Sequence, residues 1–192
     1  MRRVRPGDAL TVRDLRLRAL ADAPFAFSST LAAERRRSDA WWRQGALVRA
    51  TSEHETTYLL ESAAGAPLGL AGAYRHPERP EVVHVVSVWV DPSVRGRGAG
   101  RLLLAAVSEW ARTLGARTLE LWVTEGNVPA RRLYERLGFA PAGPVQPLPS
   151  DPAQLELLLQ LPLDADPRGH VSEGATASGR TDAAPGHPEP PG

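Results

Sequence analysis

The sequence predicts an α/β fold of the α+β kind, in which an antiparallel group of strands is followed by alternating helices and strands. Three observations predict it. Apolar residues recur at three- and four-residue spacing over residues 101–114, as on one face of a helix. Strand-like runs at residues 56–61, 67–74 and 82–90 are joined by short turns, which predicts an antiparallel N-terminal half. A further alternating run, residues 118–123, follows the helix.

The N-terminal third is expected to be mainly helical. A brief first strand is predicted around Val4, and a helix over residues 9–21 that Pro24 ends. A second helical stretch runs through residues 34–37, and Ser38 or the residue after it can cap a third. This segment precedes all the main strands.

The C-terminal half is predicted to add one more helix and one more strand. The helix spans about residues 128–137 and ends at Gly138, since glycine favours the left-handed cap conformation. A proline-broken loop is expected next, and then a strand at residues 155–161. Residues 164–192 lose apolar periodicity, so we expect one domain over residues 1–163 and a disordered tail.

Composition excludes several classes of protein. The chain has 192 residues, 42% of them hydrophobic, and a net charge of +1, which does not fit a general nucleic-acid binder. It has no cysteine, which excludes disulfides, a thiolate nucleophile and cysteine-ligated zinc, and we expect no metal site. No apolar run is long enough for a membrane helix and the N-terminus lacks a secretory signal, so we expect a soluble, cytoplasmic protein.

The stretch from Val88 to Gly100, V-W-V-D-P-S-V-R-G-R-G-A-G, is the most informative in the chain. A β-branched run ends there, a turn with three glycines follows, and a helix is expected from Arg101. This order presents a row of backbone N–H groups at a helix N-terminus, where phosphates bind. Arg95 and Arg97 add permanent positive charge. The stretch predicts a phosphate-bearing ligand.

Three phosphate-binding patterns compete for this turn. A P-loop needs a lysine, and the sequence contains none. The dinucleotide pattern G-x-G-x-x-G, counted from Gly96, reaches Arg101 at its last position, which disfavours a dinucleotide-binding enzyme. The pattern [RQ]-x-x-G-x-[GA] is satisfied by Arg95, Gly98 and Gly100.

The third pattern, together with what lies downstream, resembles the GCN5-related N-acetyltransferase (GNAT) superfamily. The downstream match is a strand, an N-x-x-A helix start at Asn127 and a Y-E-x-x-G-F helix end at Tyr134. The resemblance covers roughly residues 1–163. It implies a GNAT-like mixed central sheet of about six to seven strands, flanked by helices, that splays apart between the strands ending at Val90 and Val123. Acetyl-CoA would enter that splay as a co-substrate.

The resemblance also implies which residues hold the cofactor. The pantetheine arm would pair with the backbone of Val88 and Val90, and the pyrophosphate would sit on backbone N–H groups of the turn. Asn127 either contacts the cofactor or simply caps its helix, for which asparagine is favoured. The residues implied in cofactor binding are Val88, Val90, Arg95, Gly96, Arg97, Gly98, Ala99, Gly100 and Asn127. Arg131 and Arg132 either meet the 3′-phosphate or lie on a solvated helix face.

Two side chains are predicted to move protons. Tyr134 matches the position from which family members protonate the departing thiolate, since a phenol keeps its proton at pH 7; the alternative is a packed helix tyrosine. His84 stands where family members often carry a glutamate base, and an imidazole can take a proton near neutrality. The alternatives are a histidine that only fills a strand position, Glu81 as the base, or a water relay.

The expected reaction is transfer of acetyl from acetyl-CoA to a primary amine of a small molecule, peptide or protein. Direct attack in a ternary complex is expected, because no activated nucleophile is identifiable. Phe25 and Phe27 are expected to wall the acceptor site, with the loop at residues 144–149. The alternative is a non-catalytic module that senses acyl-CoA. We expect no nucleic-acid or membrane partner and a monomer or homodimer.

Overall fold

A computed structural model describes residues 1–163, so the tail predicted for residues 164–192 lies outside the described residues. The helices are α1 (Ala9–Asp22), α2 (Leu31–Arg35), α3 (Asp39–Thr51), α4 (Ala99–Thr113) and α5 (Val128–Arg136). The strands are β1 (Arg2–Arg3), β2 (Glu55–Glu61), β3 (Pro67–Arg75), β4 (Val82–Val90), β5 (Thr118–Thr124), β6 (Ala140–Leu148) and β7 (Asp151–Pro162). The predicted α/β fold is confirmed.

In the described part of the chain, the strands form one seven-stranded sheet in the order β1-β2-β3-β4-β5-β7-β6. All neighbouring strands are antiparallel except β4 and β5, which run parallel. The antiparallel N-terminal half and the mixed character of the sheet are therefore as predicted. The parallel pair is joined through α4, as a parallel connection requires a long crossover.

The sheet splays apart between its two central strands. β4 and β5 pair over only three residues each, from Val82↔Thr118 to His84↔Glu120. Beyond His84 the two strands have no paired positions, although both continue for several residues. The sheet thus contains a V-shaped gap that is closed at His84 and Glu120 and opens toward the carboxyl ends of both strands.

Helices cover both faces of the sheet. On one face, α4 and α5 bury an apolar cluster that includes Val83, Val85 and Tyr134; we call this the α4 face. On the other, α1 and α3 pack over Leu59 and Trp89; we call this the α1 face. Among residues 1–163, no helix is long and apolar enough to cross a membrane, and no group of three or more His, Asp or Glu side chains is placed to hold a metal.

A β-bulge in β4 directs side chains around the gap. The pairing with β3 shifts between Gly72↔Val86 and Leu70↔Trp89, and Ser87 adopts a positive φ of 55°. The extra residue shifts by one position the alternation of side chains between the two faces of the sheet. As a result Val88 packs on the α4 face, whereas Trp89 packs on the α1 face.

The region expected to be a proline-broken loop is instead strand β6, so that prediction was wrong. Among residues 1–163, β6 pairs only with β7 and forms an edge of the sheet. Proline has no N–H for a ladder, but an edge strand needs donors on one side only. The register of β6 also shifts between Pro141 and Val145, which accommodates a proline at a bulge. β7, the predicted last strand, is longer than expected. It pairs with β5 on one side and with β6 on the other.

Replacing Gly69 with alanine is expected to destabilise the fold by about 1–3 kcal/mol. A Cβ at Gly69 would lie 2.7 Å from the backbone oxygen of Trp89 and 3.3 Å from the Cα of Val90, and neither atom can move without shifting β4. Chemical denaturation measures the loss. Gly7→Ala is the matched control, because a Cβ there meets nothing within 4 Å; equal losses for the two variants would contradict the steric explanation.

Candidate functional site

The glycine-rich turn lies at the open end of the gap. It follows β4 and leads into α4. The N-terminal cap of α4 is Gly98, so the helix begins at Ala99, two residues before the predicted start at Arg101. Gly98 has a φ of 82°, a conformation that glycine adopts without strain. The turn therefore brings the N-terminus of α4 beside the gap.

A row of backbone N–H groups is available in this turn. Within the described chain, none of the amides from Gly96 through Arg101 donates to a backbone carbonyl. The first hydrogen bond of α4 runs from the Leu102 N–H to the Gly98 carbonyl. Unpaired amides at a helix N-terminus favour an anion. Gly96, Arg97, Gly98, Ala99 and Gly100 thus have the backbone arrangement that the sequence predicted for a phosphate site.

Arg95 differs from these residues. Its backbone N–H donates to the Pro92 carbonyl at 3.3 Å, and its guanidinium donates to the Val90 carbonyl at 2.9 Å and to Asp22 of α1. Burial raises the pKa of Asp22, but hydrogen bonds from the Trp89 indole and Arg95 outweigh it and hold that pKa below its usual value. The Arg95 side chain therefore ties the turn to α1, and the row of available amides starts at Gly96.

Gly100 lies where α4 packs closely against α5, and its backbone has no positive φ. A Cβ there would lie 2.7 Å from Cδ2 of Leu133 in α5. At Gly98, by contrast, a Cβ would meet nothing within 4 Å, and the positive φ is the constraint. The two glycines thus serve the turn in different ways.

The backbone of β4 faces the gap at Val88 and Val90. The Asp91 N–H donates to the Leu68 carbonyl across β3 and β4. Because the hydrogen-bonding groups of successive residues point to opposite sides of a strand, those of Val90 point away from β3, toward the gap. The Val90 carbonyl accepts from Arg95 there. The same alternation directs the polar backbone atoms of Val88 into the gap.

The segment between α1 and α2 crosses the α1 side of the gap. At one end, Asp22 accepts a 2.9 Å hydrogen bond from the Trp89 indole of β4. At the other, the Phe25 carbonyl accepts a 2.6 Å hydrogen bond from the Thr124 hydroxyl of β5. This connector therefore bridges the two diverging strands.

The two phenylalanines of the connector occupy different environments. Phe25 is 39% exposed, whereas Phe27 is 6% exposed and packs in the cluster of α1 and α3. The guanidinium of Arg16 lies 4.8 Å from the centre of the Phe27 ring. Phe25 is thus the one that can present a surface to an acceptor, and Phe27 supports the connector from inside.

Asn127 begins α5. Its side-chain oxygen accepts from the Ala130 N–H at 3.3 Å, which makes it the N-terminal cap. Arg131 of the same helix donates to the Glu125 carbonyl, and Arg132 is exposed. Asn127 therefore caps α5, and this role is compatible with a cofactor contact by the same residue.

Tyr134 lies on the α4 side of the sheet. It is 7% exposed, and its ring centre is 5.7 Å from that of Phe139. Burial raises the pKa of the Tyr134 hydroxyl, so the phenol keeps its proton at neutral pH. A neutral phenol in an apolar surrounding can donate a proton to a developing anion.

His84 lies on the opposite side. It alternates along β4 with Val83 and Val85 of the α4 face, so its side chain projects from the α1 face. It is 8% exposed, and its Nε2 lies 3.3 Å from a carboxylate oxygen of Glu120. Glu81, the other base considered, is exposed just before β4. The structure thus gives His84 a carboxylate partner at the closed end of the gap.

Sequence reasoning missed Glu120 and Asp22, the acidic partners of His84 and Arg95. Glu120 is fully buried between Leu119 and Leu121. A glutamate in a strand of that apolar character was a usable signal, because a buried carboxylate needs a partner. Asp22 carried no such signal, since it ends an ordinary helix.

The sequence matches the model of the acetyltransferase (GNAT) family over residues 16–139, more than half of the chain. Among curated proteins it is 43% identical over 75 residues to mycothiol acetyltransferase of Mycobacteroides abscessus, covering 39% of this chain and 25% of that one. It is 36% identical over 80 residues to L-2,4-diaminobutyric acid acetyltransferase of Streptomyces avermitilis, covering 41% and 45%. The chain thus spans less than half of these relatives' length.

Solved structures share the fold. Protein yncA of Salmonella typhimurium, solved with its cofactor acetyl-CoA, matches with a TM-score of 0.69 at 20% identity, covering 91% of this chain and 97% of that one. Spermidine N-acetyltransferase of Vibrio cholerae matches with a TM-score of 0.68 at 17% identity, covering 84% and 94%. The family model, the matching fold and the splayed sheet agree: the chain belongs to the GNAT acetyltransferase family.

Proposed function

We propose that this protein transfers an acetyl group from acetyl-CoA to a primary amine, by direct attack in a ternary complex. The observation that carries the proposal is the gap between β4 and β5, with the row of amides from Gly96 through Arg101 at its open end. This is a place where an extended thioester can lie between two strands with its phosphates on a helix N-terminus.

The cofactor would contact residues on the edge of the gap. The polar backbone of Val88 and Val90 would take the place of the missing strand partner for the pantetheine arm. The amides of Gly96, Arg97, Gly98, Ala99 and Gly100 would receive the pyrophosphate, with the Arg97 guanidinium adding charge. Arg95 would act by holding the turn against Asp22 and Val90. Asn127 would position α5 beside the cofactor.

Acid and base approach from opposite faces of the sheet. His84 projects from the α1 face, so it would take a proton from the incoming ammonium, directly or through a water. Tyr134 belongs to the α4 face and would give its proton to the departing sulfur. The neutral amine nitrogen attacks the thioester carbonyl and the C–S bond breaks. The second proton that the nitrogen loses replaces the one given up by Tyr134, through solvent, and the products are the amide and CoA. Phe25 on the connector would line the acceptor's approach.

A panel of amines tests this proposal. Release of free CoA would be measured with a thiol reagent for amino acids including 2,4-diaminobutyric acid, for polyamines including spermidine, and for peptides with free amino groups. We expect release above background with at least one amine. Tight binding of acetyl-CoA with no release for any of them would favour the non-catalytic acyl-CoA-sensing alternative.

With a responding amine, His84→Gln is expected to lower kcat/KM at neutral pH by about 100-fold or more, the usual contribution of a general base. The Michaelis constant for acetyl-CoA should change little. Glu81→Gln is the control, because Glu81 is exposed. A large loss for Glu81→Gln with full activity for His84→Gln would assign the base to Glu81.

A further inference from the structure

A buried carboxylate stands beside His84 with an unusually complete set of donors. Both oxygens of Glu120 accept from the Arg79 guanidinium at 2.8 Å, and one accepts from the Gln160 amide at 2.6 Å. Oε2 of Glu120, which accepts from Nη2 of Arg79, also lies 3.3 Å from Nε2 of His84. Glu120 is 0% exposed, whereas the Arg79 side chain is 44% exposed. The carboxylate is therefore fixed in position from three sides.

The donors also fix its charge. Burial raises the pKa of Glu120, but the hydrogen bonds from Arg79 and Gln160 outweigh it, so the pKa lies below its usual value. A carboxylate that stays ionised only accepts hydrogen bonds. The ring nitrogen of His84 that faces it is therefore favoured to carry a proton, which places the lone pair of the neutral ring on Nδ1.

The pair occupies a specific place in the fold. His84↔Glu120 is the last paired position of β4 and β5, at the closed end of the gap. Both side chains project from the α1 face, and Gln160 of β7 is the next partner across the sheet. The carboxylate thus lies in the paired part of the sheet, directly beside the place where the strands separate.

We infer that Glu120, held by Arg79 and Gln160, is a positioning residue that fixes the tautomer and ring orientation of His84 for acetyl transfer. The inference rests on the proposed function of His84 as the base. In the transfer, Nδ1 takes the proton from the ammonium, directly or through a water, and Glu120 stabilises the imidazolium that forms. The proton returns to solvent after the amide has left.

Other charged or titratable groups surround His84 and enter the test. Tyr74 of β3 stacks on the imidazole with ring centres 5.2 Å apart, and His76 lies at the same distance on a tilted plane. Burial, followed by the charge of Glu120, raises the pKa of Tyr74, so it is neutral near pH 7. Burial and the Arg79 charge lower the pKa of His76. Glu120 and Arg79 are the two charges that the test removes.

Two substitutions to the same side chain separate positioning from structure. Glu120→Met removes the carboxylate, and Arg79→Met removes its counter-charge. Long-range ¹H–¹⁵N spectra of the imidazole, assigned with His84→Gln, report tautomer and titration midpoint. We expect Glu120→Met to lower the midpoint by roughly one pH unit and to abolish the preference for the Nε2–H tautomer. We expect Arg79→Met to raise the midpoint and keep the tautomer.

The opposite signs are decisive, because loss of packing would not move the two midpoints in opposite directions. Shifts of the same sign, or no shift in either variant, overturn the inference. If Glu120→Met does not fold, Arg79→Met alone decides, since the Arg79 side chain is 44% exposed and its replacement disturbs packing less. An unchanged or lowered midpoint in Arg79→Met then overturns the inference. Gln160→Leu is the control that removes a neutral donor and should leave the tautomer unchanged.

Kinetics distinguish this inference from the proposed function. With a responding amine, the acidic limb of kcat/KM should follow the His84 midpoint down in Glu120→Met and up in Arg79→Met, with an unchanged Michaelis constant for acetyl-CoA. If the spectra shift and the limb does not, Glu120 positions His84 but His84 is not the base, and the proposed function fails in that part. If the spectra do not shift, the positioning role itself is excluded.

Discussion

Replacing Tyr134 with phenylalanine is expected to lower kcat for acetyl transfer by about 100-fold or more, the usual contribution of a general acid. The substitution removes one oxygen and keeps the ring that packs on Phe139. Because burial raises the pKa of Tyr134, the wild-type hydroxyl stays protonated across the neutral range and is available to the departing thiolate. Steady-state kinetics with a responding amine measure the loss, and single-turnover kinetics identify the chemical step.

Tyr58→Phe is the matched control for this prediction. Tyr58 packs against the same apolar cluster from β2, and burial raises its pKa as well, but β2 does not border the gap. We expect kcat for Tyr58→Phe to stay within about twofold of wild type, and affinity for acetyl-CoA to be unchanged in both variants. Equal losses in the two would mean that packing, rather than proton donation, accounts for the effect. A Tyr134→Phe enzyme with full kcat would exclude it as the acid.

Much of the fold was predictable because local patterns and tertiary structure agree. The helix at α4 has an apolar face that fits the sheet, and Gly115 ends it with a φ of 72°, as its sequence position predicts. β6 was not predictable in the same way. Its prolines suggest a loop, and only its place at the edge of the sheet, a property of the assembled fold, makes them tolerable.

The same division applies to the candidate site. The glycine-rich turn is a local feature, so its sequence predicted the row of backbone N–H groups at the start of a helix, whereas the left-handed conformation at Gly98 is a finding of the structure. The ties between distant elements could not be read in this way. Arg95 was predicted as a phosphate ligand because it is a cation in the motif, but its partner Asp22 is brought to it by the packing of α1. The pairing of His84 with Glu120 depends on the register of two strands separated by a helix.

Gly98→Glu is expected to weaken acetyl-CoA binding by 100-fold or more. A carboxylate placed about 5–6 Å from a phosphate costs about 3 kcal/mol at an effective dielectric constant of roughly 20, which corresponds to more than 100-fold in affinity. The loss should shrink as salt is raised, because screening weakens the repulsion between charges near the surface. Isothermal titration calorimetry with acetyl-CoA at two ionic strengths measures both effects.

Backbone strain must be separated from charge, and the chain offers a control for each. Gly115 has a φ of 72° and Gly98 one of 82°, and a Cβ meets nothing within 4 Å at either, so glutamate is comparably strained at both. Gly115→Glu, at the far end of α4, should lower thermal stability without changing affinity. Gly98→Asn introduces an uncharged side chain that tolerates the left-handed conformation, so the affinity of this variant for acetyl-CoA should fall far less. If Gly98→Glu binds acetyl-CoA as tightly as Gly115→Glu does, the pyrophosphate does not lie on this turn.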